Sequence, residues 1–259
     1  RSIDLPGRGQ TFIREVAGPP DAPTLMLLHG WTATADLNWF TTFELLGQHF
    51  RIIAPDHRGH GQGIRLKGSF RLEDCADDVA AIADILGINT FIPVGYSMGG
   101  TVAQLMWKRH EQRVRGLVLA ATAAHFISSK QERTAFNVLA GLGTIARFTP
   151  KSVRESISDR IYLSRKTMTW EPWAAQQIAS HDWRSILEAG SALGHFDSRD
   201  WLSQIDVPTS VVITTEDQVV FDGIYNKYDK LISPLLETTN SDAEAVVTED
   251  QDVDGTTQT

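Results

Sequence analysis

The chain contains 259 residues, of which 42% are hydrophobic and 22% charged, proportions that are ordinary for a globular protein. Its formal net charge is −8, but residues 237–259 hold seven acidic residues and no basic one, which leaves 25 acidic against 24 basic residues elsewhere. A nearly neutral body lacks the basic surface that binds nucleic acids, and no apolar run approaches the roughly 20 residues that span a bilayer. We therefore expect neither a nucleic-acid partner nor a membrane span.

The single cysteine, Cys75, excludes an intramolecular disulfide, and the N-terminal RSIDLPGRGQ has no apolar core of the kind found in signal peptides. Both features lead us to expect a cytoplasmic protein. Nothing in the sequence indicates an oligomeric state.

Short apolar runs alternate along the chain with longer segments of helical periodicity. The runs predicted as strands are residues 24–29, 51–55, 91–95, 114–121 and 211–215. The segments predicted as helices are residues 37–50, 72–86 and 97–110. This alternation predicts an α/β fold with a mostly parallel, doubly wound sheet covered by helices on both faces.

The spacing of the strands predicts an insertion. Residues 122–206 contain no convincing strand but several amphipathic stretches, so we expect helices inserted between two strands of the sheet. The predicted organisation is a first part of the core at 1–121, a helical cap at 122–200, a second part of the core at 201–221 and an acidic, disordered tail at 222–259.

A Gly-x-Ser-x-Gly element, GYSMG at residues 95–99, joins a predicted strand to a predicted helix. A serine on such a sharp turn exposes its hydroxyl, and the closely approaching backbones require small neighbours. The context therefore predicts that Ser97 is a nucleophile. The alternative is a tight glycine turn without a catalytic role.

Two further motifs precede this element: LHGW at residues 28–31 and DHRGHG at residues 56–61. Together with GYSMGG they resemble the α/β-hydrolase superfamily, in particular its esterase, lipase and epoxide-hydrolase-like branch. The resemblance implies that the backbone amides of Trp31 and Met98 form the oxyanion hole and that the inserted helices cap the site. It implies no cofactor, and the dispersed histidines do not indicate a metal site. In this family the histidine equivalent to His29 shapes the loop, and His57 and His60 are most simply loop residues.

The family's chain order places an acidic residue after the serine and a histidine last. Asp217, in the segment TTEDQ at 214–218, is the predicted acid, with Glu216 as the alternative; Asp217 is otherwise only a loop carboxylate. It would orient the histidine that activates Ser97.

No histidine follows Asp217 in the chain. The recognisable resemblance ends near Val220, so we expect the final strand and helix of the fold to be missing or altered. His125, after a predicted strand, and His195, where the cap returns to the core, are candidates for a pocket position and for a replacement base. They are otherwise residues of the cap lining or of the surface.

These observations lead to two hypotheses. The first is a serine hydrolase that cleaves a small apolar ester or related acyl compound through an acyl-enzyme and is impaired by the absent histidine; hydrolysis of a carbon–carbon bond in a diketone stays open. The serine argues against the branches that use an aspartate nucleophile. The second hypothesis is a protein of this fold that binds a ligand without turning it over.

Overall fold

The computed structural model describes residues 1–127, 130–149 and 172–212. Their strands form one seven-stranded sheet with the order β1-β2-β4-β3-β5-β6-β7. The strands are β1 (Ser2–Leu5), β2 (Gly9–Val16), β3 (Thr24–Leu28), β4 (Arg51–Pro55), β5 (Ile92–Tyr96), β6 (Leu117–Ala120) and β7 (Thr209–Val212). The β1–β2 and β2–β4 pairs are antiparallel and the other pairs are parallel, which confirms the predicted fold class.

The burial of the central strand β3 shows that both faces of the sheet are covered. All five of its residues are buried, as expected for a parallel strand between two layers of helices. Met26 and Leu28 belong to the larger hydrophobic cluster, whereas Leu25 and Leu27 point to the smaller cluster on the opposite face.

Seven helices surround the sheet in the described ranges. They are α1 (Ala35–Trp39), α2 (Phe43–Gly47), α3 (Leu72–Ile85), α4 (Met98–His110), α5 (Lys130–Phe148), α6 (Pro172–Ala179) and α7 (Trp183–His195). None of them is both long and apolar enough to cross a bilayer.

The single helix predicted over residues 37–50 is wrong, because the segment forms the two short helices α1 and α2. The Thr42 hydroxyl donates to the carbonyl of Trp39 at 2.9 Å, a local bond of the kind with which threonine competes against a continuous helix. The predicted strand at 114–121 is shorter than expected, since only Val114 pairs upstream of β6, through a single bridge to Phe91.

Helices α5, α6 and α7 lie between β6 and β7, where the sequence predicts a helical insertion. Helices α5 and α7 pack together: the site of a hypothetical Cβ on Gly194 lies 2.6 Å from Cβ of Phe136. The predicted acidic tail, the altered final strand and residues 213–215 of the last predicted strand lie outside the described residues.

Candidate active site

Ser97 occupies the junction between β5 and α4 with φ 51° and ψ −114°. A positive φ at a non-glycine residue costs about 1–3 kcal/mol, so the surrounding structure must impose it. Glycines make this possible: a Cβ on Gly95 would overlap the carbonyl oxygen of Gly99, and a Cβ on Gly99 would overlap that of Leu28. The spacing of the motif therefore follows from the closeness of three backbone segments.

The bend is held by hydrogen bonds to the end of β6. The Ser97 amide donates to the carbonyl of Ala120 at 2.9 Å, and the Thr122 hydroxyl donates to the carbonyl of Ser97 at 2.8 Å. Ser97 itself is only partly buried, and its side chain does not cap α4. The hydroxyl is thus left available at the carboxyl edge of the sheet.

The loop after β3 lies directly beside this serine. A Cβ on Gly30 would lie 3.4 Å from the Cβ of Ser97, and the Gly30 amide donates to Oδ1 of Asn38 at 2.8 Å. Trp31 follows Gly30, and Met98 is the first residue of α4. Across the described residues, neither of their amides donates to a backbone carbonyl outside the regular helices and strands. Trp31 thus follows a residue that lies against Ser97, and Met98 follows Ser97 directly.

His29 lies in the same loop, yet both of its ring nitrogens are already used. Its Nδ1 donates to the carbonyl of Gly30 at 2.8 Å, and its Nε2 accepts from the amide of His57 at 2.9 Å. Burial lowers the pKa of His29 well below its usual value. A neutral imidazole with both nitrogens engaged shapes the loop and cannot take a proton from Ser97.

The DHRGHG loop is anchored at two points. The buried Asp56 carboxylate accepts from the amides of Ala35 and Gln62 at 2.9 and 2.8 Å, and burial raises its pKa. Arg58 binds Asp78 of α3 through Nε and Nη2, both at 2.7 Å. These contacts tie the loop to the first residue of α1 on one side and to α3 on the other.

Three rings of this region belong to a cluster of buried imidazoles that the motifs do not reveal. The rings of His29 and His57 lie 4.4 Å apart between centroids, and those of His60 and His181 lie 5.5 Å apart. Within the described residues, Nε2 of His57 and Nε2 of His60 are buried without a hydrogen-bond partner. His181 precedes α7 and comes from the inserted segment, about 120 residues away in sequence, so no local pattern could have indicated it.

The two candidate replacement bases are not hydrogen-bonded to Ser97. His125 forms an isolated bridge with Asp197 just after β6, and its Nδ1 is buried without a partner in the part of the chain that the structure describes. His195 is exposed on α7, where its Nδ1 donates to the carbonyl of Ser191 at 2.8 Å.

Asp217 and Glu216 lie outside the described residues. No three His, Cys, Asp or Glu residues within the described ranges are arranged to hold a metal ion.

Comparison with known proteins gives a consistent result. The family model described as "alpha/beta hydrolase fold" matches residues 23–248. This match extends past Val220, near which the resemblance recognised in the sequence ends. A bifunctional esterase/perhydrolase from Acinetobacter calcoaceticus is 25% identical over 226 residues, covering 78% of this chain and 77% of the relative. A non-heme haloperoxidase from Rhodococcus erythropolis is 28% identical over 219 residues, covering 76% and 75%. The crystal structure of the enol-lactonase from Burkholderia xenovorans LB400 superposes with a TM-score of 0.70 at 24% identity, covering 96% of this chain and 91% of the enzyme.

Proposed function

Since the chain belongs to the α/β hydrolase fold family, we propose that it is a serine hydrolase that cleaves a small apolar ester or related acyl compound, with Ser97 as the nucleophile. The observation that carries the proposal is the strained backbone of Ser97, with φ 51°, between two glycines that tolerate no side chain. Such strain is retained where function requires it. The esterase and enol-lactonase named among the similar proteins support an acyl substrate.

In the proposed mechanism the Ser97 hydroxyl attacks the acyl carbon and forms a tetrahedral intermediate. The amides of Trp31 and Met98 donate to its oxyanion, and each such donor contributes about 3 kcal/mol to the transition state. The intermediate collapses to an acyl-enzyme with loss of the alcohol, and water then releases the acid. Helix α4 begins directly after the serine, so its N-terminal dipole favours the developing negative charge.

The proton of Ser97 must pass to a base. In the family order this base is a histidine oriented by an acid, the role proposed for Asp217, and no histidine follows it in the chain. His125 is the proposed replacement, because its buried Nδ1 has no partner among the described residues and it follows β6, the strand that holds the Ser97 bend. His195 supports this role less well, since it is exposed and its Nδ1 is engaged.

Labelling with a fluorophosphonate probe and turnover of a p-nitrophenyl ester test this function. We expect both signals to disappear in Ser97→Ala and to persist in Ser203→Ala, which changes an exposed serine. Loss of a triad base lowers turnover by roughly 10⁶, and the oxyanion hole with binding alone retains about 10³–10⁴ over water. If ester turnover by His125→Ala falls to the level of Ser97→Ala, His125 is assigned as the base.

A second candidate function is ligand binding without turnover. The observation that favours it is that, among the described residues, neither His125 nor His195 is hydrogen-bonded to Ser97. A chain that binds a non-hydrolysable ester analogue, is not labelled by the probe and shows no turnover above the Ser97→Ala level would support this function and contradict the first.

A further inference from the structure

The residues that begin the loop after β3 are held by the inserted segment at two points. The indole Nε1 of Trp31 donates to the carbonyl of Ile186 in α7 at 2.8 Å. The carbonyl of the next residue, Thr32, lies 3.0 Å from Nε2 of His181. Nδ1 of that ring accepts from the amide of Gly61 at 2.8 Å, so the proton of the neutral ring is on Nε2, which donates to Thr32.

The Trp31 ring also lies directly against the backbone of α7. A Cβ on Gly190 would lie 2.6 Å from Cζ2 of Trp31 and 2.9 Å from Cδ1 of Leu139 in α5. Glycine inside a helix is less favourable than alanine, so its presence here needs a compensating contact. The close approach of the indole ring supplies that contact.

These contacts lie on either side of the Trp31 amide, which the proposed function requires as an oxyanion donor. The Trp31 amide lies between Gly30, whose own amide is held by Asn38, and Thr32, which adopts φ 60°. The segment forms no regular helix or strand that would hold it, so its position depends on side-chain bonds. An oxyanion donor acts only within about 2.7–3.1 Å of the developing charge, so small displacements are costly.

We propose that the cap positions the oxyanion hole, with the indole of Trp31 and the imidazole of His181 as the positioning residues. The inference rests on the proposed function, because it assigns the Trp31 amide to the oxyanion. It adds that the Ile186 carbonyl of α7 and His181, which lies two residues before that helix, hold the donor in place. Displacement of α7 would therefore lower transition-state binding as well as substrate selection.

The first test measures the loop directly and needs no activity. The Ala33 amide donates to the carbonyl of Gly30 at 3.3 Å, so its hydrogen exchange reports the loop conformation. We expect Trp31→Phe, which keeps a ring but removes the N–H, to accelerate exchange at Gly30 and Ala33 about tenfold. Trp39→Phe is the matched control, because the buried Nε1 of Trp39 has no partner within the described residues and its ring packs against the smaller hydrophobic cluster, on the opposite face of the sheet from Trp31. Equal exchange in the two variants would overturn the proposal.

The second test separates the two bonds of His181. Glutamine places an amide N–H near the position of Nε2, whereas asparagine places an oxygen near Nδ1. We therefore expect His181→Gln to retain slow exchange at Ala33 and His181→Asn to lose it. If both variants fold and exchange alike, the bond to Thr32 does not position the loop.

The third test links the loop to the oxyanion hole. An alkyl boronic acid forms a tetrahedral adduct with a serine hydroxyl, and its affinity reports oxyanion stabilisation. We expect Trp31→Phe to weaken boronic acid binding about tenfold while leaving the affinity for a ground-state ester analogue unchanged, and Trp39→Phe to change neither.

If Trp31→Phe and Trp39→Phe bind the boronic acid with equal affinity, the inference is overturned and the proposed function stands. If the unmodified chain and Ser97→Ala bind the boronic acid equally, the proposed function fails, and the exchange measurements still decide whether the cap holds the loop.

Discussion

Nε2 of His29 accepts a hydrogen bond from the backbone amide of His57 across 2.9 Å, so the bond requires a neutral His29 ring. His60 and His181 continue the same buried cluster, with the His29 and His60 centroids 5.3 Å apart. Protonation of Nε2 of His29 would turn this acceptor into a donor that faces the N–H of His57, and the hydrogen bond would be lost. The packing of the two motif loops thus depends on imidazoles that stay uncharged.

We predict that the free energy of unfolding falls steeply below pH 6.5. Burial lowers the pKa of His57 to about 3 and that of His181 to about 4, whereas both rings titrate near 6.5 when unfolded. Between these values the unfolded state binds protons that the folded state does not, so stability decreases as pH falls and is unaffected above about pH 7. At pH 5 the two rings together cost roughly 4 kcal/mol.

Urea unfolding at pH 7.5 and pH 5 measures this effect. His181→Gln should reduce the loss by about 2 kcal/mol, the share of that ring, and His49→Gln, which changes an exposed histidine, should leave it unchanged. An identical loss in the unmodified chain and in His181→Gln would rule out the contribution of that ring.

Ser97→Gly should raise stability while removing the proposed nucleophile. Glycine adopts a positive φ without the steric cost that Ser97 bears at φ 51°, so we expect the free energy of unfolding to rise by about 1 kcal/mol. Ser97→Ala keeps a Cβ and therefore should not gain this amount. Thermal unfolding of both variants decides the point, and equal stability would show that the bend is not strained.

Gly99→Ala should prevent stable folding or cost at least about 3 kcal/mol, because the added methyl group overlaps the backbone oxygen of Leu28, which cannot move without distorting the central strand β3. Gly141→Ala is the control in α5, where a Cβ meets nothing within 4 Å. There alanine should stabilise the helix by roughly 1 kcal/mol. Circular dichroism with urea titration compares the two, and a fully stable Gly99→Ala variant would contradict the close approach.

Arg58→Met should cost about 3 kcal/mol. The buried Asp78 loses its two-point partner, and removing one member of a buried pair leaves an uncompensated charge. Arg8, which donates to Asp78 at 2.6 Å, compensates only in part. Arg199→Met breaks the largely exposed pair with Asp197 and should change stability by less than about 0.5 kcal/mol. Similar losses in both variants would contradict this distinction.

Local sequence features were sufficient for the fold and for the position of the Ser97 bend. The apolar runs identify the strands because a strand covered on both faces must be apolar throughout, as β3 is. The GYSMG spacing identifies the bend at Ser97 because only glycine fits where Gly95 and Gly99 approach other backbones. Both signals lie within a few consecutive residues. The roles of Ser97 as nucleophile, of Trp31 and Met98 as oxyanion donors, of Asp217 as acid and of His125 as base remain predictions.

Long-range contacts were decided only by tertiary structure. The bond from Trp31 to Ile186 spans 155 residues and the bond from His181 to Thr32 spans 149, and both involve backbone carbonyls that any residue could supply. Likewise, the uncharged state of the imidazole cluster depends on burial among neighbours from separate loops. Sequence patterns record the period and size of side chains along one element, whereas these bonds depend on how separate elements meet in space.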